Sequence, residues 1–489
     1  MKIKFFTIAV STSLLSLLVA CNEDEAPAPA PPVQTTIKAD AGTDQDILPN
    51  QMVTLDGTAS KGADAKTFSW TLIKKPSNSN ITLSQTSTSK PTFTPDIVGY
   101  YEMELTVSSG TEKSTDRVQV KAEYPTPIII EQDIKSDTRL FDRIIDPTKP
   151  DYIVKKDIAV YSALSIDRGV AVAFERDKAL NIEEKGSVVA DGVAEQRIRF
   201  TGMELQAGFW AGIKLFSPST ANSLAFTDIE FAGSRIAFTN TKAGLALFGN
   251  NKAQLAITDS KFTSNGGYGL YVQNGSVLRK FERNAFSKQV EAPMLIDAYN
   301  ATLLDAASKF TGNNGRDAVE INSSDIRGTQ EVSWPSFADK TPYRLLGNMA
   351  VEAGWSLKPG VTVEVARDAM ISINRNGYLS AKGTKENKVT IKGSSQNAAH
   401  WKGLIIYSVS ALNELDHTEI IGAGSAVIVS GQRSAVTTYG RGAKLMVKNS
   451  KITKSGGYGI MYTSDAELNS DAATTNTFES NAQSDLHKL

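Results

Sequence analysis

Phe209-Trp210-Ala211-Gly212-Ile213-Lys214-Leu215 is answered 191 residues later by His400-Trp401-Lys402-Gly403-Leu404-Ile405-Ile406. The match extends well beyond the shared Trp-x-Gly. Backward at the same offset, Gly202 meets Gly393, Gly192 meets Gly383, Gly186 meets Gly377, Arg176-Asp177 meets Arg367-Asp368 and Gly169-Val170 meets Gly360-Val361. Forward, Asn222 meets Asn413, Thr227 meets Thr418, Ile229 meets Ile420 and Ala232-Gly233-Ser234 meets Ala423-Gly424-Ser425. One residue out of step, Ser260–Gly269 recurs as Ser450–Gly459, carrying Gly-Gly-Tyr-Gly in both places. Self-similarity over this length marks a repeat architecture, in which a structural unit is built twice.

Each copy has a finer rhythm. Val170-Ala171-Val172, Leu180-Asn181-Ile182, Ile198-Arg199-Phe200 and Ile213-Lys214-Leu215 alternate in short apolar runs, separated by Gly, Asn, Asp and Ser. Alternation at period two predicts strands, and the intervening residues predict turns. Many short strands in a duplicated block favour a solenoid over a closed barrel, because each coil then buries its apolar face against its neighbours.

These residues carry a family resemblance. Gly169-Val170 and Pro359-Gly360-Val361, the Trp-x-Gly-Ile/Leu motif and Gly-Gly-Tyr-Gly-Ile/Leu resemble a right-handed parallel β-helix of the pectate-lyase-like type. That type occurs in secreted and lipid-anchored bacterial proteins. The resemblance covers residues 128–489, with the two copies at about 133–290 and 325–486. Its motifs mark the fold and say little about chemistry. Ala318-Val319-Glu320-Ile321 still reads as a coil strand, so the solenoid is expected to run through the junction at 291–342. At about 20–25 residues per coil this gives on the order of 14 coils. Stacked about 4.8 Å apart they would form a rod roughly 65 Å long.

The chain of 489 residues is long enough for two or three domains. Its 52 basic and 53 acidic residues leave a net charge of −1 and no basic track. That balance offers no electrostatic reason to expect nucleic acid. Residues 1–21 read as a lipoprotein signal peptide. Lys2 and Lys4 precede an apolar run from Phe5 to Val19, and Leu18-Val19-Ala20-Cys21 resembles a bacterial lipobox. Cys21, the single cysteine, is the expected lipid acceptor, so no intrachain disulfide can form and the fold must rest on packing. Several acyl chains on that residue would anchor the protein stably. Residues 22–34 form a linker. Its Asn22-Glu23-Asp24-Glu25 resembles the surface-export signal of Bacteroidetes lipoproteins or is a solvated spacer, and Ala26 to Pro32 alternates Ala and Pro as an extended stalk.

Residues 35–122 read as a separate antiparallel β-sandwich. Val53–Thr58, Phe68–Leu72, Pro91–Asp96 and Gly99–Val107 are its expected strands, and Trp70 its expected core aromatic. The order of motifs resembles a PKD-type immunoglobulin-like domain, which implies a spacer or adhesive module outside the cell. The expected fold class is therefore all-β: an antiparallel sandwich followed by a duplicated right-handed parallel β-helix.

Candidate site residues are few. Trp210 and Trp401 are expected to pack at coil corners, with Gly212 and Gly403 allowing the turn; the other reading makes them sugar-stacking platforms. Asp228 and Glu419 share one repeat position, and Glu230 lies two residues beyond Asp228, on the same strand face. Two carboxylates on one face suit calcium or acid–base chemistry, set against a plain solvated face. Asp416-His417 resembles an Asp-His pair carried by pectate-lyase-like β-helices. His417 aligns with Phe226, however, and strand neighbours point to opposite faces, so the two side chains are expected to diverge and His417 to sit in the core. The polygalacturonase motifs Asn-Thr-Asp, Asp-Asp, Gly-His-Gly and Arg-Ile-Lys are not found, and Arg197-Ile198-Arg199 resembles the last only superficially. Three scattered histidines give no structural zinc site.

The expectation is a non-catalytic outer-membrane lipoprotein, exposed at the cell surface, that binds or adheres. Membrane lipid is its partner through Cys21, with polysaccharide or another envelope protein as ligand and no cofactor. The rival is a carbohydrate-active lyase or hydrolase with an unrecognised site on one long face of the solenoid.

Overall fold

The computed structural model describes residues 36–62, 66–323 and 325–489, so the signal segment, Cys21 and the linker lie outside the described residues. The chain divides into two compact units, one ending at Tyr124 and one spanning Pro125–Leu489. Among the described residues there is no α-helix, and so none long and apolar enough to cross a membrane.

The first unit holds a four-stranded sheet in the order Gln45–Ile47, Glu112–Ala122, Gly99–Ser109, Thr67–Lys74, faced by the antiparallel pair Val53–Thr54 and Thr92–Phe93. Gly99–Ser109 alternates cleanly and sends Tyr101, Met103, Leu105 and Val107 inward. Its hairpin partner Glu112–Ala122 and the edge strand Gln45–Ile47 were not anticipated. Glu112–Arg117 is polar on both sides and becomes a strand because the two-residue turn Gly110-Thr111 pairs it with an apolar neighbour. Trp70 is buried in this core, its indole N–H donating to Thr88 O at 3.1 Å. The Tyr101 hydroxyl donates back to Ile97 O at 2.8 Å and closes the sandwich corner.

The second unit is a parallel β-solenoid. Successive strands enter three different sheets in turn, and each pairs in parallel with a strand one coil on, as Ala179–Ile182 does with Gly212–Leu215. One sheet has 13 strands and runs through both copies; the first copy completes its coils with sheets of six and seven strands, the second with two sheets of six. The interior is a continuous apolar stack from Ile134 to Ile460.

Shared residues of the two copies make the same local structure. Asn222 and Asn413 are buried and accept from the N–H of Val188 and Leu379 one coil back, at 2.9 and 3.0 Å. Thr227 and Thr418 each donate to a carbonyl, Ala190 O or Ala381 O, at 2.8 Å. These polar residues were retained because buried corner backbone must find partners.

The copies differ in how they face. In the first, the 13-stranded sheet is built from strands that follow the Trp-x-Gly motif, such as Gly212–Leu215. In the second it is built from counterparts of the strands before it, such as Val389–Gly393, whose equivalent Ile198–Gly202 lies in the seven-stranded sheet. The second copy is thus turned by one face about the solenoid axis. The change falls at the junction, where Ile296 and Val319 are in successive strands of the long sheet. Between them the coil carries a 3-10 turn, Asn300–Leu303, and the single bridge of Lys309 to Ala285. Beyond it, Glu320, Arg344, Glu364 and Lys392 stand in register as a ladder of alternating charge. Glu320, only 1 % exposed, is held by Arg316 and by the Tyr268 hydroxyl, each at 2.6 Å.

Candidate functional site

Trp210 and Trp401 are fully buried. Each indole N–H donates to the same repeat position, Glu230 O at 2.7 Å and Ile421 O at 2.9 Å, and Trp210 stacks on Phe174 at 4.1 Å. Neither presents a ring face to solvent, so a sugar has no platform here. Gly212 and Gly403 adopt φ of +106° and +135°, and a Cβ on either would stand 2.7–2.9 Å from carbonyl oxygens of the next coil. The Trp-x-Gly motif is a corner device: the ring fills the coil and the glycine admits the neighbouring backbone.

The acids stand where strand alternation puts them, outward and half-buried, but each already has a cation. Asp228 receives Arg197 Nε at 2.9 and 3.1 Å, Glu230 lies 3.5 Å from Arg199 and Glu419 accepts from Lys388 at 2.8 Å. Burial pushes the Glu230 carboxyl above its usual range, more than Arg199 pulls it down. Asp228 and Glu230 share the seven-stranded sheet, whereas Glu419 lies in the 13-stranded one. Their common repeat position therefore does not bring Asp228 and Glu419 to one face. Among the described residues, no group of three or more His, Cys, Asp or Glu is placed to hold a metal ion.

Arg197 does more than the sequence suggested. It also donates to Asp259 O at 2.9 Å and lies over the Phe226 ring, tying three successive coils together. Arg197, Arg199 and Asp228 line an open groove of about 470 Å³ with Asp142 and Gln196. Asp142 and Gln196 also border a second groove that holds Arg139, Phe141 and Arg168. Burial, then the nearby charge of Asp151, raises the Asp142 carboxyl above its ordinary range.

Asp416 and His417 do not diverge. His417 Nδ1 lies 2.8 Å from Asp416 Oδ1, and His417 is half-buried rather than in the core. The reason is the backbone: His417 has φ +47° and links the strands Glu414–Asp416 and Thr418–Ile421, so strand alternation stops there. Phe226 occupies the same corner with φ +46°. Around the dyad, Asn449 donates to Asp416 at 2.9 Å, and Lys448 lies 3.2 Å from Glu414 and 3.6 Å from Asp416. Burial works to raise the Asp416 carboxyl, but Asn449, Lys448 and His417 together hold it below its usual range. The first copy carries Ala225, Phe226 and Thr258 at the positions of Asp416, His417 and Lys448, so this cluster belongs to the second copy alone.

Sequence reasoning missed Arg197, Arg199 and Lys388 as partners of the acids. A signal was present: Arg197 precedes Asp228 by the same interval as Lys388 precedes Glu419. It also missed the exposed tyrosines Tyr407 and Tyr439, 40 % and 37 % accessible, which follow the Trp-x-Gly strand and the next strand of that sheet.

Fold and site together define a class: an all-β protein with an antiparallel sandwich unit and a duplicated parallel β-solenoid whose outer faces carry ion pairs and aromatic residues. Residues 41–121 match a family model described as a PKD domain. Among solved structures, the PKD domain from KIAA 1837 protein is 30% identical, over 18% of this chain and 85% of that one, with a TM-score of 0.16. The PKD domain of human KIAA0319 is 21% identical over 20% and 92%, also at 0.16. A nucleoside hydrolase-related hypothetical protein from Saccharophagus degradans, described as associated with carbohydrate metabolism, is 16% identical over 18% of this chain, at the same TM-score. The match spans 26% of that protein's chain. No curated protein matches the chain. The first unit thus carries a PKD-like domain.

Proposed function

We propose that this is a surface-anchored lipoprotein that binds or adheres through its solenoid, with polysaccharide as the ligand class and without turning it over. The observation that carries this reading is the state of the outward acids. Asp228, Glu230 and Glu419 each face an arginine or lysine, an arrangement suited to holding coils and presenting polar groups rather than to shuttling protons. The PKD-like domain supports a role outside the cell, as an adhesive or spacer module, by analogy of fold.

Two experiments test it. Purified protein is screened against a glycan array while the same glycans are assayed for new reducing or unsaturated ends. Retention without release supports binding; release would favour catalysis. For the anchor, Cys21→Ser should leave the protein soluble or unprocessed, and wild-type partitioning of processed variant with membranes would remove the lipoprotein reading.

One observation favours a second reading, a carbohydrate-active lyase or hydrolase. The half-buried Asp416–His417 dyad, with Lys448 beside it, has the form of an oriented base next to a cation. Turnover that disappears in His417→Phe while the fold is retained would decide for it.

A further inference from the structure

On the outer face of the solenoid, the residue one place beyond the Trp-x-Gly strand pairs with its counterpart in the next coil. In the first copy these are Phe216 and Phe248; in the second, Tyr407 and Tyr439. Their backbones are placed identically, with Phe248 N–H on Leu215 O and Tyr439 N–H on Ile406 O. Their surroundings differ. Phe216 and Phe248 stack at 4.3 Å, and Phe238, from the segment that leads to the next strand, completes the site with its ring 6.5 Å from Phe248 and 6.3 Å from Tyr271. Phe248 is left 9 % exposed.

The second copy keeps that segment, with the bridge Val429 to Gln432 where the first has Phe238 to Thr241. Val429 stands in place of Phe238, and Met461 in place of Tyr271. The covering ring is gone, and Tyr407 and Tyr439 open to 6.0 Å at 88°. Where the ring is lost, two phenol hydroxyls are gained.

We propose that Tyr407 and Tyr439 form a saccharide-binding subsite that takes one pyranose ring of a polysaccharide in the place Phe238 fills in the first copy. This rests on the polysaccharide-binding reading above and gives it a location. The first copy shows that the site accepts a flat six-membered ring. An aliphatic or aromatic partner would be served as well by Phe at both positions. A pyranose has an apolar C–H face to lie against the rings and a rim of hydroxyls for phenols that both donate and accept. Buried Trp210 and Trp401 cannot take this part.

The test is affinity electrophoresis of the full chain in gels carrying barley β-glucan, xylan or polygalacturonate. Wild type should be retarded in at least one. Tyr407→Ala and Tyr439→Ala should each weaken retention about tenfold, the scale of one lost aromatic contact, and Tyr407→Phe less. Val429→Phe restores the ring of the first copy; it should fold as wild type and lose retention because the site fills itself. If the alanine variants and Val429→Phe are retarded like wild type, the subsite is wrong while polysaccharide binding stands. If wild type is retarded in no gel, polysaccharide binding falls and the subsite with it.

Discussion

Arg197 grips Asp228 one coil away through its Nε at 2.9 Å, and 191 residues later Lys388 grips Glu419 at 2.8 Å. The charge pair has been inherited with the repeat while both partners changed identity. Its two instances now lie on different sheets, because the second copy is turned by one face. A pair kept through such a move serves the coil rather than a common surface.

That assignment predicts the cost of breaking it. The Arg197 and Asp228 side chains are 21% and 14% exposed, so the pair is neither a solvated surface contact nor a fully buried one. Arg197→Met or Asp228→Asn should cost about 1–3 kcal/mol and act through a shared coupling in a double-mutant cycle. Hydrogen exchange should show the loss in the coils around residues 197, 228 and 259, which Arg197 ties together. Unchanged protection with lost glycan retention would make Asp228 a ligand contact instead.

Glu230 makes the opposite prediction. Burial raises its carboxyl above the ordinary value of 4.5. The folded state then binds the proton more tightly than the unfolded chain, so stability falls as pH rises from 4.5 through the raised folded value. Glu230→Gln removes that penalty. Its urea midpoint should exceed that of wild type at about pH 8 and converge with it below the ordinary carboxyl value. A variant less stable than wild type in the alkaline arm would show the Arg199 pair to outweigh desolvation.

Trp401→Ala leaves a cavity in a fully buried coil and should cost about 3–5 kcal/mol. Solenoid coupling is nearest-neighbour, so limited proteolysis should cut first within about one or two coils of residue 401 while the coils around Trp210 stay protected. Gly403→Ala should open the same coils, since its Cβ would meet Ser434 O at 2.8 Å. Wild-type protease resistance in both variants would remove the corner assignment.

His417→Phe should fold, because Phe226 occupies the same left-handed corner in the first copy. Its effect should appear in acid. The depressed Asp416 carboxyl contributes stability that is present above 3.8 and lost as pH falls through its lower folded value. Without the His417 contact that loss should begin nearer 3.8, read as an earlier onset of dye-detected acid unfolding. An unshifted onset would show that Asn449 and Lys448 alone hold Asp416.

Much of this architecture could be read from residue order. Trp-x-Gly, the alternating triplets and the shared Asn222/Asn413 and Thr227/Thr418 positions stated a coiled, duplicated all-β fold, because each is a local requirement of strand, turn or buried corner. The sandwich was half legible: Gly99–Ser109 announces itself by alternation, while Glu112–Ala122 is a strand only through its neighbour. The site was less legible. Asp416 and His417 were assigned to opposite faces by a rule that holds within a strand, and one left-handed residue between strands reversed it.

The sequence by itself determined which residues recur, which positions are apolar and which glycines must turn, since these are set by local sterics and by burial repeated at a fixed period. Only the tertiary structure decided that Asp228 and Glu419 stand on different faces, that both tryptophans are sealed inside, and that Tyr407 and Tyr439 are left open. The physical reason is the same in each case. Exposure and company depend on which coil lies above and how far the chain has rotated about the axis by then, and the turn at the junction leaves the repeat offset unchanged.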